Sequence, residues 1–242
     1  MRLGGTLDLL LDLVYPRYCL LCESRISREP FRGVCSHCME GLGWGQAELC
    51  PHCGVPAPEK SGCSSCMERQ FAFASVWSFG PYQDHLKKLI HAFKFERDRA
   101  LGRDIARFMA GSEALLEILR GARALVPVPM HPLKERNRGY NQAKILAEEL
   151  SEITGVPVLR SALAKAKTSV PQMELGKQAR WNNVAESFQL GSLRKSAIEG
   201  GEIVLVDDVL TTGATAHHCA QVLLRAGARR VRVVVVARTV LN

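Results

Sequence analysis

Residues 204–216 constrain the fold of this 242-residue chain more than any other stretch. They read VLVDDVLTTGATA, an apolar run followed by two adjacent acids and a turn rich in threonine and glycine. Residues 203–206 are all aliphatic, which is typical of a central strand in a parallel sheet that is buried on both faces. We expect Asp207 and Asp208 to emerge at the carboxyl end of this strand.

The acids and the turn suit the two ends of a sugar phosphate. Two carboxylates can accept hydrogen bonds from vicinal hydroxyls or meet a hydrated Mg²⁺ ion. Residues 211–215 can turn successive backbone N–H groups inward at the start of a helix, where the helix dipole also favours an anion. Gly213 permits the turn, and three threonine hydroxyls add donors. For the acid pair alone, a buried strand with an ordinary acid-capped turn is the alternative.

The whole stretch resembles the phosphoribosyl pyrophosphate (PRPP) motif of type I phosphoribosyltransferases. That motif joins four hydrophobic residues, two acids and a Thr/Gly-rich loop, and the match here has no gap. The resemblance implies that Asp207 and Asp208 are the catalytic acids and hold the ribose 2′ and 3′ hydroxyls. It also implies that a loop binds the 5′-phosphate; its residues are Thr211, Thr212, Gly213, Ala214 and Thr215.

Eight of the nine cysteines form four C-x-x-C pairs. Each pair can present two thiolates to one metal ion, and two pairs complete the tetrahedral site that structural Zn²⁺ prefers. Disulfides are the alternative, but no secretory signal is recognisable, so we expect a cytoplasmic protein in a reducing compartment. The spacing predicts two zinc ribbons in series with two structural Zn²⁺ ions. The expected ligands are Cys19, Cys22, Cys35, Cys38, Cys50, Cys53, Cys63 and Cys66.

Three further residues near these patterns have more than one interpretation. His37 and His52 lie inside C-x-x-C pairs and could replace a thiolate, although exposed positions are favoured for both. Cys219 lies on the helix that follows the phosphate loop, where a small buried apolar residue is expected.

Charge divides the chain into two unequal parts. Residues 1–80 contain seven Lys/Arg against eight Asp/Glu, a net charge of −1, so residues 81–242 carry +9 and the whole chain +8. The cysteine-rich part therefore lacks the positive charge expected of a nucleic-acid grip, and we favour protein docking or positioning for it. We place an N-terminal helix (residues 6–14) and the double zinc ribbon in residues 1–70, and a phosphoribosyltransferase-like domain in residues 71–242. No run approaches the roughly 18 apolar residues of a membrane span.

Strands alternate with helices in the larger part, which predicts an α/β fold with a parallel sheet flanked by helices and a site at its carboxyl edge. Residues 85–109 form a basic stretch with helical spacing of its apolar residues. Within it, Lys94 and Arg97 face either phosphates or water, and water is favoured. The expected elements are a strand or hairpin at 71–82 linking the two modules, helix at 85–109, strands at 124–129 and 158–162, a helix at 214–226 and a strand at 231–237.

A basic loop follows the strand at 124–129 and opens a helix. In type I phosphoribosyltransferases the loop at this place receives pyrophosphate, and Arg138-Gly139-Tyr140 is similar to the RGF element of adenine-specific members. Gly139 would allow the backbone to approach, and Arg138, with Arg136 or Lys134, would supply charge. His131 is either a proton donor or, as we favour, a surface residue.

The polar segment at residues 165–188 corresponds to the mobile hood of these enzymes, which closes over PRPP and excludes water. It carries Lys165 and Lys167, of which Lys167 is a candidate phosphate contact. With the cysteine pairs, the 127–143 segment and the PRPP loop, its pattern resembles the ComF family. The hood residues that carry this resemblance are Thr168, Pro171, Gln172, Arg180 and Asn183.

ComF proteins are phosphoribosyltransferase-like, carry an N-terminal double zinc ribbon and are associated with natural competence. The resemblance implies a type I phosphoribosyltransferase fold and PRPP binding with Mg²⁺, in a candidate transferase whose acceptor no residue pattern identifies. Two alternatives stay open. One is a non-catalytic competence factor that binds single-stranded DNA or a helicase, and the other is a regulator that senses PRPP.

Overall fold

The computed structural model describes residues 16–26, 31, 33–45, 47–57, 63, 66, 70–96, 98–165 and 188–240. The expected helix at residues 6–14, the hood residues 166–187 and Arg97 lie outside these ranges. The strands within them are β1 (Arg17–Tyr18), β2 (Arg25–Ile26), β3 (Ser75–Pro81), β4 (Ala124–Pro127), β5 (Leu163–Lys165), β6 (Phe188–Leu190), β7 (Glu202–Leu210) and β8 (Arg230–Arg238).

Helices connect the strands of the larger domain. Asp98 ends the basic helical stretch that the sequence predicted as one helix, because its side chain caps the next helix by accepting from the Leu101 N–H. The helices are α1 (Ser36–Glu40), α2 (Asp84–Phe95), α3 (Arg99–Met109), α4 (Glu113–Arg120), α5 (Pro132–Arg138), α6 (Gln142–Thr154) and α7 (Ala214–Arg225), with a 3₁₀ turn at Lys195–Ala197.

Four strands form the central sheet, in the order β3-β8-β7-β4, and every neighbouring pair is parallel. The two inner strands are rich in valine and almost wholly buried, as expected of strands covered on both faces. Strand β7 continues to Leu210, beyond its predicted end, because β8 pairs with it as far as Arg238. Strand β4 pairs with β7 only up to Val206, so from Asp207 onward one edge of β7 has no strand partner among the residues that the structure describes.

Helices cover both faces of the sheet. Val204 and Val206 of β7 pack into one core with α2, α3, α4 and α6, whereas Ile203 and Leu205 pack into a second core with α7. This arrangement confirms the predicted α/β fold, a parallel sheet flanked by helices. Part of the linking segment proves to be the parallel edge strand β3, and the strand predicted at 158–162 is reduced to a single parallel bridge between Leu125 and Val158.

The cysteine-rich part packs directly on this domain at two places. Cys19, Ile26 and Met39 of the first half share a core with α2 and α3. The second half lies against β3 and β8: a Cβ on Gly54 would come within 3.0 Å of Val76. Among the described residues, no helix is long and apolar enough to cross a membrane.

Candidate functional site

The eight paired cysteines form two four-sulfur clusters. Cys19, Cys22, Cys35 and Cys38 make the first cluster and Cys50, Cys53, Cys63 and Cys66 the second, with the sulfurs of each within 4.8 Å of one another. Sulfurs bound tetrahedrally at the Zn–S distance of ~2.3 Å lie about 3.8 Å apart. The Sγ–Sγ distances Cys22–Cys35 and Cys50–Cys66 are 3.8 Å. The clusters therefore fit Zn²⁺, and all nine cysteines are free of disulfides.

The two histidines in the C-x-x-C pairs contribute no ligand to these clusters. His37 is exposed, and the ring Nδ1 of His52 lies 3.0 Å from the carbonyl oxygen of Ala74. Cys219 is fully buried in the core beneath α7, as expected.

Asp207 and Asp208 lie in the last part of β7 and belong to opposite faces of the sheet, because side chains alternate along a strand. Asp208 follows Val204 and Val206 on the face covered by α2 and α6. Asp207 follows Ile203 and Leu205 on the α7 face. Both acids lie beyond the end of β4, where a ligand placed over the open edge of β7 could meet them together.

Asp208 is paired with a cation from a different layer. The ammonium group of Lys94, near the end of α2, lies 3.1 Å from Asp208 Oδ1, and the Lys94 side chain is only 19% exposed. The preference for a water-facing Lys94 was therefore wrong. The helical pattern located the apolar face of α2 correctly, but the partner of Lys94 is more than one hundred residues away and depends on how α2 packs on the sheet.

Asp207 has a strongly perturbed environment. Burial raises the pKa of Asp207 to about 8, the charge of Asp208 adds to this effect, and Lys94 and Lys165 oppose it. The Asp207 carboxylate oxygen Oδ1 also accepts a hydrogen bond of 2.8 Å from the Asp208 N–H. Acids with strongly shifted pKa values concentrate at functional sites, because burying two carboxyls together does not stabilise the fold.

Lys165 is a site residue to which the sequence assigned no role beyond the hood. Burial and the charge of Lys134 lower the pKa of Lys165, whereas Asp207 raises it. Its ammonium group lies 5.2 Å from the ring centroid of Phe188, across the β5–β6 pair. The foot of the hood segment therefore brings a cation towards Asp207. Lys167, the predicted phosphate contact, lies outside the described residues.

The predicted phosphate loop joins β7 to α7. Gly213 has a left-handed backbone (φ +83°) directly before α7 begins at Ala214. The first bond of that helix runs from the His217 N–H to the Gly213 carbonyl, so the N–H groups of Ala214, Thr215 and Ala216 precede it. Thr211 is exposed, and Thr212 and Thr215 are partly so. The Ala214 N–H donates to Thr212 Oγ1 at 3.4 Å. Hydroxyls and helix-terminal amides thus lie together at one place.

The predicted pyrophosphate segment is a short helix, α5, rather than a loop. His131 caps it by accepting the Leu133 N–H through Nδ1, and Gly139 ends it with a left-handed backbone. Arg136 is exposed on it, whereas the Arg138 guanidinium donates to Gln142 and lies 5.1 Å from the ring centroid of Phe95. A helix forms here because proline precedes a run of good helix formers.

The last turn of α2 connects this segment with the acids. Tyr140 donates its hydroxyl to the Phe93 carbonyl, and Phe95 contacts Arg138, while Lys94 between them reaches Asp208. Arg99 donates to the Gly139 carbonyl at 3.0 Å and fixes the end of α5. Arg99 was not predicted, since one arginine in a basic stretch carries no signal of its own.

Known proteins share both parts of this organisation. Residues 10–67 match the family model described as a double zinc ribbon domain, and residues 136–239 match the phosphoribosyl transferase domain. The DNA utilization protein YhgH of Salmonella typhimurium is 30% identical over 236 residues, which cover 94% of this chain and 99% of that protein. Competence protein F of Haemophilus influenzae is 28% identical, over 91% of this chain and 96% of that protein.

Among solved structures, the adenine phosphoribosyltransferase of Thermoanaerobacter pseudethanolicus is 16% identical with a TM-score of 0.33, covering 62% of this chain and 72% of that one. The two domain models occur in the order that the cysteine pairs and the PRPP motif predicted, and the full-length relatives carry competence and DNA-utilization names. The chain therefore belongs to the ComF family of phosphoribosyltransferase-like proteins with an N-terminal double zinc ribbon.

Proposed function

We propose that the open edge of β7 and the loop at residues 211–215 bind PRPP or a related ribose 5-phosphate. One observation carries the proposal: two acids, a left-handed glycine and the N-terminus of a twelve-residue helix follow each other within eight residues. Carboxylates accept hydrogen bonds from ribose hydroxyls, and the helix terminus attracts the 5′-phosphate. Arg136, Arg138 and Gly139 would then border the pyrophosphate.

Mg²⁺ is the cofactor expected with such a ligand. The donor set fits, because Mg²⁺ prefers hard oxygen ligands and is commonly bound through one or two carboxylates while keeping several waters. Asp207 and Asp208 would hold the hydrated ion or the ribose hydroxyls. When bound, Mg²⁺ would neutralise charge that develops on a leaving pyrophosphate.

The side chains around the acids suggest a division of tasks. Lys94 pairs with Asp208 on the α2 face, and the charge of Lys165, at the base of the hood, lowers the pKa of Asp207.

The names of the relatives suggest the cellular process in which this protein acts. We infer that this protein, like the relatives named for competence and DNA utilization, acts in the uptake or use of DNA. We place it in the cytoplasm, where a reducing environment keeps eight metal-binding thiols available. Single-stranded DNA and a competence helicase are the partners that this role would bring.

Calorimetric titration with PRPP and Mg²⁺ tests the site. The paired substitutions Asp207→Asn and Asp208→Asn should abolish binding, because amides replace both carboxylate acceptors. Glu117→Gln with Glu152→Gln, two exposed acids on α4 and α6, makes the same change in charge and should bind as the unaltered protein does. An unchanged affinity in the Asp207/Asp208 variant would rule out the site.

Pyrophosphate release distinguishes transfer from binding. The protein is incubated with PRPP, Mg²⁺ and a panel of bases, amines, nucleotides and single-stranded DNA. Release that depends on one acceptor, and disappears in the Asp207/Asp208 variant, identifies a phosphoribosyltransferase. Tight PRPP binding without release across the panel identifies a binding protein or sensor.

A further inference from the structure

Arg238, the last residue of β8, has one of the most deeply buried side chains of the described residues, with 2% exposure. Its guanidinium contacts two separate parts of the molecule. Nε donates to the carbonyl of Cys53, a cysteine of the second cluster, at 3.0 Å. Nη1 donates to the carbonyls of Leu210, the last residue of β7, at 3.1 Å, and of Thr211, the first residue of the phosphate loop. It also donates to the carbonyl of the adjacent Thr239 at 2.9 Å.

The guanidinium group is suited to such a connection. It is planar, permanently charged and presents its N–H groups in fixed directions, so its acceptors are held at fixed relative positions. A displacement of the Cys53 carbonyl would therefore also displace the carbonyls of Leu210 and Thr211. These carbonyls lie at the end of β7, just before Gly213.

A second contact joins the same two parts. Phe71 packs against the apolar core of the second cluster, and its ring lies so close to Gly213 that a Cβ there would come within 2.7 Å. The next residue, Ala72, donates its N–H to His217 Nδ1 at 3.0 Å, in the first turn of α7. The loop is thus held by Arg238 on one side and by the Phe71–Ala72 segment on the other.

The first cluster has a different environment. Cys19, Cys35 and Cys38 pack with residues of α2 and α3, away from the phosphate loop. The two zinc ribbons, which look equivalent in sequence, therefore make different contacts with the phosphoribosyltransferase domain.

We propose that the second cysteine cluster is part of the ribose-phosphate site, with Arg238 as the positioning residue that connects the two. The proposal rests on the proposed function, since it concerns the same phosphate loop. Zinc bound at the second cluster holds the Cys53 carbonyl in place. Through their contacts, Arg238 and Phe71 then keep residues 210–217 in one conformation. Loss of this zinc leaves the loop residues present but poorly arranged for phosphate.

Substitution of Arg238 tests the connection. Arg238→Met should weaken PRPP binding by about tenfold or more, as four carbonyls lose their donor. Arg238→Lys should recover only part of the loss, because a point charge cannot reach all of them. Arg232→Met is the control: Arg232 lies on the same strand and pairs with Glu202 at 2.8 Å, far along β8 from the loop. PRPP affinity equal in the Arg238→Met and Arg232→Met variants overturns the proposal.

A second variant keeps the proposal testable if Arg238→Met does not fold. Cys66→Ser leaves Arg238 intact and removes one thiolate of the second cluster. Metal analysis should find about one zinc instead of two, and hydrogen exchange at residues 211–216 should become faster by tenfold or more. Unchanged exchange in a protein shown to have lost one zinc contradicts the connection.

The exchange measurement needs no ligand, so it separates this proposal from the proposed function. If the unaltered protein does not bind PRPP, the ribose-phosphate assignment fails, and the exchange rates still report whether the cluster orders the loop. If PRPP binds and the exchange rates of the Cys66→Ser variant are normal, the connection alone fails.

Discussion

Asp207 and Asp208 are adjacent on β7, but their side chains lie on opposite faces of the sheet. Asp208 lies on the α2 face and pairs with Lys94, whereas Asp207 lies on the α7 face, where the charges of Lys94 and Lys165 oppose the rise of its pKa. The two carboxyls therefore lie in different surroundings, although they are neighbours in the chain. Burial and the neighbouring charge of Asp208 raise the pKa of Asp207, so Asp207 keeps its proton to higher pH than an exposed aspartate does.

PRPP affinity should rise with pH up to about 8 and then level off. The pKa of Asp207 is raised to about 8, so the free protein holds a proton there at neutral pH, whereas ribose hydroxyls need the carboxylate as an acceptor. Each pH unit below this value should weaken binding by up to about tenfold. Calorimetry in buffers of different ionisation enthalpy should detect proton release on binding. Asp207→Asn controls for titration of the ligand, and a flat profile would contradict the prediction.

Lys94→Met should weaken PRPP binding by about tenfold and leave thermal stability within a few degrees. The substitution removes the cation that lies 3.1 Å from Asp208, so the two acids repel each other more strongly. Lys88→Met is the matched control, because Lys88 lies on the same helix with its side chain exposed. Equal affinities of the two variants in calorimetry would show that the ion pair does not support the site.

At the scale of elements, the strand, loop and helix at residues 202–225 act as one unit. The inner position of β7 fixes the direction in which the acids leave the sheet, and the left-handed Gly213 turns the chain into α7. The glycine is required for two reasons, its backbone conformation and the ring of Phe71 beside it.

Gly213→Ala should therefore cost more stability than an ordinary left-handed glycine does. Gly155→Ala is the matched control, since Gly155 has φ +75° with no atom within 4 Å of a Cβ. The control should lose about 1 kcal/mol in free energy of unfolding. Gly213→Ala should lose at least 1 kcal/mol more, from the clash with Phe71, as well as PRPP affinity. Equal losses in urea unfolding would show that Phe71 yields freely.

At the scale of the whole molecule, the two ribbons and the sheet form a continuous structure. The first ribbon shares the apolar core of α2 and α3, and the second contacts β3 and β8. The indole N–H of Trp44, between the ribbons, donates to Ser78 Oγ of the edge strand β3 at 3.0 Å. Metal binding should consequently stabilise more than the N-terminal part.

Purified protein should contain about two equivalents of zinc, and removal by a chelator should lower the melting temperature of the entire chain. The reason is that the first cluster's apolar neighbours belong to the core of the larger domain. Metal analysis together with calorimetric unfolding checks both parts. A metal-free, disulfide-linked protein from reducing expression would refute the zinc sites, and an unchanged main transition after chelation would refute the shared core.

The sequence alone determined the features that depend on neighbouring residues. Four C-x-x-C pairs specify two tetrahedral sulfur sites because each pair needs only a local turn, and the valine-rich runs specify buried parallel strands. The turn at Gly213 follows from the same local logic. These patterns, with the resemblance they carry, predicted the fold, the zinc clusters and the family.

The long-range partners depend on how the layers of the fold pack together. Lys94 meets Asp208, and Arg238 joins Cys53 to Leu210, across separations that no local pattern records. The helix at residues 132–138 and the role of β3 as a sheet edge were likewise set by packing. A buried charge acquires its partner when layers of the fold come together, so the sequence named the acids of the candidate site and the folded chain supplied the cations around them.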